Sequence, residues 1–174
     1  IQGKCDVSTV SKLKLLMNQA EVTPEIFPAV SAALSKAEAT GAPAGAMVLP
    51  DGTVITGKTS STLGAASALL LNALKHLAGI DDSIDLISAQ VLEPICQLKT
   101  DYLSHKNPRL HTDEVLIALT NPAAQKAKDQ LSGLQGCEAH FSVVLSQEDE
   151  SLLKSLGIHV SCEAKYESNR LYHK

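Results

Sequence analysis

The chain has 174 residues, 44% of them hydrophobic and 20% charged, with 15 Lys and Arg against 19 Asp and Glu and a formal net charge of −4. That is enough apolar residue to bury a core, and it excludes disordered and fibrous classes. No apolar run reaches the roughly 18–20 residues of a membrane span; mild acidity and five aromatics, none of them Trp, argue against nucleic acid as a partner.

From Val7 to Val22, Val10, Leu13, Leu16, Met17 and Ala20 recur at helical spacing, with Lys12 and Lys14 turned outward. Thr23-Pro24 is a cap and first-turn pair, and Ile26, Val30, Ala33, Leu34 and Ala37 carry a second helix to Gly41. The spacing predicts an antiparallel helical pair over residues 1–42. Ala42-Pro43-Ala44-Gly45 marks a change of composition, which places an α/β domain at 43–174.

Ala46–Leu49 and Thr53–Thr56 are short β-type runs joined by Pro50-Asp51-Gly52, a hairpin turn sequence. Thr62–Ala78 is a helix apolar almost all round, which requires a partner surface or extra helical cover. Ile84–Ile87 reads as a strand, and Pro94 as the start of a helix carrying Ile95, Leu98 and Tyr102. Asp113–Leu119 is helical with Thr112 as cap, and Asn121-Pro122 opens a helix to Leu131. Phe141–Leu145 is a strand, Ser146 caps a helix bearing Leu152, Leu153 and Leu156, and Gly157 stops it. Ile158, Val160 and Cys162 alternate as a last strand. The order predicts an α/β fold: a three-layer α/β/α sandwich with a mixed sheet of about five strands, preceded by the helical pair.

Cys5, Cys96, Cys137 and Cys162 are scattered, without the close spacing of zinc or dithiol sites. They read as reduced thiols of a cytoplasmic protein. The opening Ile1-Gln2-Gly3-Lys4 lacks an initiator Met and a leader, so we expect a fragment, a processed product or an expressed piece.

Three constellations carry candidate chemistry. Gly52–Thr59 satisfies G-x-x-x-x-G-K-T, the phosphate-loop pattern. Its middle residues, Thr53-Val54-Ile55-Thr56, are all β-branched and favour an extended strand over a wrapped loop, so the hairpin reading wins. A weaker anion site remains, in which Lys58, Thr59, Ser60 and Ser61 precede a helix N-terminus; an ordinary capped helix start is the blander account. Asn107–Glu114 is the densest polar cluster: Arg109 is suited to clamp a phosphate or carboxylate, and His111 and Asp113 to acid–base work. Its plainer account is a helix capped by Thr112, with Asp113 and Glu114 answering the dipole. His140 and His159 are expected to be partly buried and hydrogen-bonded, and His76, His105 and His173 to face solvent. Cys137 beside His140 reads as a packed thiol rather than a nucleophile.

The stretches LPDGTVITGKTSSTLGAASALLLNALKHLAGI, NPRLHTDEVLIAL and GCEAHFSVVLS, with the ending RLYHK, resemble the bacterial domain-of-unknown-function family 1846, also called uncharacterised protein family 0371. The resemblance runs from about Val7 onward and implies the C-terminal third of a larger cytoplasmic protein. Its other members carry an N-terminal part with a Gly-rich, phosphate-loop-like segment. Between Leu119 and Asn121 they have a few more small residues, which here is either a deletion or an omitted mobile loop. The element order is also similar to the cytidine deaminase fold. However, Leu63–Ser67 and Pro94–Gln97 lack that fold's zinc ligands, so no metal and no cofactor is expected. The leading expectation is a domain that serves assembly, or completes a site with the N-terminal part of the same protein, in a possible homo-oligomer. The alternative is a nucleotide- or phosphometabolite-binding enzyme domain with its anion pocket at the helix start after the hairpin.

Overall fold

Pro50-Asp51-Gly52 makes the turn its chemistry dictates. In this computed structural model, which describes Gly3 and residues 5–167, the Gly52 N–H donates to the Leu49 carbonyl at 2.9 Å. Gly52 takes φ +85°, a conformation that a side chain would oppose. The turn joins β1 (Ala44–Val48) to β2 (Val54–Lys58), antiparallel and with Ala46 opposite Thr56. The phosphate-loop pattern is therefore a coincidence of composition, since Val54–Lys58 lie along a ladder.

Among the described residues the sheet has four strands in the order β2-β1-β3-β4. β3 (Glu138–Phe141) runs antiparallel to β1, and β4 (His159–Cys162) parallel to β3. The sheet is mixed, as expected, but one strand short of the number predicted. Ile84–Ile87 does bury Leu86 and Ile87, yet other partners take backbone groups that a ladder would use. Asn121 Nδ2 donates to the Leu86 carbonyl at 2.6 Å, and the Ile84 N–H turns back to the Asp81 carbonyl at 3.0 Å. The strand that a deaminase-like order needs after the hairpin helix is thus not formed among the described residues. β3 also lies three residues earlier than the predicted Phe141–Leu145. Beyond Phe141 the chain bends, and the Val144 N–H pairs with the Lys165 carbonyl at 2.8 Å.

The second predicted helix is divided by its own prolines. Pro24–Ile26 is a single 3₁₀ turn, and α2 (Pro28–Thr40) begins only after Phe27, which the following proline holds in extended conformation. Gly41 ends it at φ +64°. α2 buries Ala29, Val30 and Ala33 and packs on β1 and β3. α1 (Val7–Gln19), capped by Asp6, buries no residue, so α2 does not cover its apolar stripe.

α3 (Ala65–Leu77) packs on β1 and β2, fully burying Leu69, Leu70, Ala73 and Leu74. Gly57 permits this: a Cβ there would lie 2.2 Å from the Leu69 amide nitrogen. The other sides of α3 meet α5 (Thr112–Ala118) and α6 (Pro122–Lys128). Its all-round apolar character is therefore met by helical cover from within the chain. α4 (Ala89–Asp101) starts five residues before Pro94, which it contains. Asn121 caps α6 as expected, accepting from the Ala124 N–H at 2.7 Å. α7 (Gln147–Ser155) is capped by Ser146, and Gly157 follows it at φ +78°. Among the described residues no helix is long and apolar enough to cross a membrane.

Candidate functional site

The loop that ends at His111 is bound to the start of α3 by its backbone. The Leu110 N–H donates to the Thr62 carbonyl at 2.9 Å, and Ser67 Oγ donates to the Leu110 carbonyl at 2.8 Å. Arg109 Nε reaches the Ser60 carbonyl at 2.9 Å, and the buried Lys99 Nζ reaches the Arg109 carbonyl at 2.6 Å. The hairpin-to-helix junction and the His111 loop consequently face one cavity of about 80 Å³, lined by Thr59, Gly64, Arg109, His111, Ser146 and Asp149 among others. A buried water needs roughly 10–15 Å³, so this space suits one small oxyanion and not a whole nucleoside. Gly64 is the N-cap of α3 and offers no side-chain cap, so the positive end of that helix opens on the cavity wall.

His111 is held from behind. Its Nδ1 lies 3.1 Å from Asp149 Oδ2, while the other carboxylate oxygen accepts from the Thr112 N–H at 2.8 Å. Ser146 Oγ donates to Asp149 Oδ2 at 2.9 Å and accepts the Asp149 N–H at 3.1 Å. The hydrogen bond that the ring donates to Asp149, aided by the carboxylate's charge, raises the imidazole above its ordinary pKa against the opposing effect of burial. Burial pushes the Asp149 carboxyl up, but hydrogen bonds from His111 and Thr112 outweigh it and hold the group below the usual carboxylate range. With Nδ1 committed to Asp149, Nε2 is the ring nitrogen left to meet a ligand. Ser146 sits at that same Nδ1, 3.4 Å away, so the trio is not a nucleophile–base–acid relay, which needs the serine at the opposite ring nitrogen.

Arg109 completes the polar wall. Its Nη1 pairs with Glu167 at 2.9 and 3.3 Å, so a carboxylate already occupies the clamp. Lys99 stands behind it, 2% exposed, with Nζ shared between the Arg109 carbonyl and Glu114 Oε2, each at 2.6 Å. Glu114 Oε2 also accepts the His111 N–H at 2.7 Å. Lys99→Met should lower stability by about 1–2 kcal/mol, because it removes the ion pair to Glu114 and the hydrogen bond to the Arg109 carbonyl while keeping side-chain volume. The check is a urea melt together with amide exchange at 109–111, which should quicken in the variant.

The predicted site residues divide. Thr59, Arg109 and His111 line the cavity; Lys58, Ser61 and Asp113 are exposed and do not. Ser60 shapes the junction, its Oγ accepting from the Thr62 and Leu63 N–H groups at 3.3 and 3.0 Å. The cap of α5 is His111 rather than Thr112, whose fully buried Oγ1 has no hydrogen-bond partner. His140 is buried as expected, with ring nitrogens 2.9 Å from Ser161 Oγ and 3.2 Å from Glu163 Oε1. His159, by contrast, is exposed, as are His76 and His105, while His173 and the RLYHK ending lie outside the described residues. Burial raises the Cys137 thiol, which disfavours the thiolate a nucleophile would need. Lys99 and Glu167 escaped the sequence reading, while Ser146 and Asp149, 35 and 38 residues from His111, carried there only the signal of a helix cap and its first turn. The first-turn acid of a capped helix, three residues after Ser146, was the one available sign of Asp149.

Comparison with known proteins places the chain among relatives. The family model described as "Domain of unknown function DUF1846, C-terminal" matches residues 25–172. A UPF0371 protein of Corynebacterium efficiens is 48% identical over 178 residues, covering 99% of this chain and 36% of that protein. A UPF0371 protein of Streptococcus thermophilus is 45% identical over 172 residues, covering 96% of the chain and 35% of its own length. One from Streptococcus pneumoniae is 43% identical over 176 residues, covering 98% and 36%. The chain thus spans about a third of the length of the curated relatives it matches.

Proposed function

The chain belongs to the DUF1846 family, matching its C-terminal domain, and on that premise we propose that it completes a site in a longer protein by supplying a pocket for an anionic group. A three-layer sandwich, with α2 and α3 on the two faces of the sheet, is the frame we assign to it. We assign the protein to a reducing cytoplasm, which the wide scatter of its four cysteines along the chain suits.

The observation that carries this reading is the convergence of Arg109, the Asp149-held His111 and the uncapped start of α3 on one small cavity. Each of the three favours negative charge, by fork-shaped hydrogen bonding, by a raised imidazole and by the helix dipole. Glu167 is the resident counter-charge, and a phosphate or carboxylate ligand would take its place on Arg109. The small volume fits the terminal group of a phosphometabolite, with the remainder of the molecule held by the preceding part of the protein.

Inorganic phosphate in the millimolar range should raise the melting temperature by a few degrees, an effect that scales with ligand concentration over Kd. Arg109→Ala should weaken phosphate binding at least tenfold, whereas Glu167→Gln should tighten it several-fold by removing the competitor. A chain that shows no phosphate-dependent shift in any of the three forms has no such pocket.

A further inference from the structure

α1 carries an apolar stripe that no element among the described residues buries. Val10, Leu13 and Leu16 stand 39%, 55% and 59% exposed, and none of its thirteen residues is buried. Successive residues turn by about 100°, so Val10, Leu13, Leu16, Met17 and Ala20 share one stripe, which Lys12 and Lys14 flank on either side. A helix of this length is marginal in water without tertiary packing. Its own cap, Asp6 Oδ1 accepting from the Thr9 N–H at 2.6 Å, answers only part of that deficit.

We infer that the α1 stripe is a docking surface for the preceding part of the full-length protein, seated in an apolar groove whose rim is acidic. Two findings select this occupant. The family's C-terminal domain model begins at residue 25, after α1, so the helix lies on the far side of the domain's own limit. The relatives are nearly three times as long as the chain, which leaves ample protein to supply the groove. The two lysines flanking the stripe, with no acid inside the helix, set the charge of the rim. This inference rests on the reading of the chain as one part of a longer protein and is independent of the anion pocket.

Hydrogen exchange of amides 7–19 tests it in the full-length protein and in the 174-residue chain. These amides should exchange at least tenfold more slowly in the full-length protein, at any protein concentration. Leu13→Asp combined with Leu16→Asp should abolish that protection while leaving the melting of the α/β domain and its phosphate response unchanged, since α1 buries nothing in the domain. Equal exchange in both forms would overturn the inference. So would protection that appears in the 174-residue chain alone and grows with concentration, which would give the stripe to a second copy.

Discussion

Gly57→Ala should destabilise the domain by about 3 kcal/mol or more, the upper end of what overpacking does. The alanine Cβ would fall 2.2 Å from the Leu69 nitrogen, 2.5 Å from its Cα and 2.8 Å from the Ala68 carbonyl carbon. These are backbone atoms of α3, so no side chain can swing aside; the helix must lift from β2 or the strand must bend. Lifting α3 exposes Leu69 and Leu70, both fully buried. For a domain of this size each kcal/mol moves the melting temperature by about 2–4 °C, so a fall of about 6–12 °C is expected. Gly133→Ala is the control, its nearest new neighbour being Leu77 Cδ1 at 3.5 Å, ordinary contact. It should stay within about 0.5 kcal/mol of the parent. If Gly57→Ala melted with the parent and Gly133→Ala, the seating of α3 on the hairpin would be wrong.

Gly57 also shows where a sequence is legible and where it is not. The hairpin could be read because its signal is local: β-branched runs on either side of Pro50-Asp51-Gly52 settle their own geometry. The role of Gly57 was not legible, because its purpose is a long-range one, the approach of a helix eight or more residues on. Capped helices were legible for the same local reason, as Ser146 and Asn121 illustrate. Ile84–Ile87 was not, since the residue that takes its Leu86 carbonyl, Asn121, comes from the distant cap of α6. Leu86 and Ile87 are buried while Ile84 is exposed, and burial alone does not choose between a ladder and a tethered loop.

The site divides along the same line. Arg109 and His111 stood out because they share one short polar loop with Asn107. Asp113 stood out equally and is exposed, because adjacent positions on a helix face different ways and α5 turns Thr112 inward. Asp149 was visible only as a first-turn acid: in the sequence it is one of three in α7, Glu148, Asp149 and Glu150, and only the fold decides which of them meets His111.

Asp149→Asn should lower stability by about 2 kcal/mol near pH 5.5, because charged hydrogen bonds of this kind contribute about 1.5–3 kcal/mol. Asparagine can still accept the Thr112 N–H, but its amide cannot balance an imidazolium at 3.1 Å. The pH dependence identifies the cause. His111 has a folded pKa above its unfolded value, so its contribution is complete below about pH 6.5 and fades as pH rises through the folded value. Asp149 has a folded pKa below its unfolded value, so its contribution is complete above about pH 4 and fades as pH falls through the folded value. The pair is therefore most stabilising between those limits, and the gap between parent and variant should be widest there, narrowing toward both pH 9 and pH 2. Urea melts across the range give the gap, and proton NMR of the imidazole gives the titration, which should shift to lower pH in Asp149→Asn. An unshifted His111 titration, or a gap that widens toward alkaline pH, would remove Asp149 as the group that keeps this imidazole charged and would leave the proposed anion pocket without its second cation.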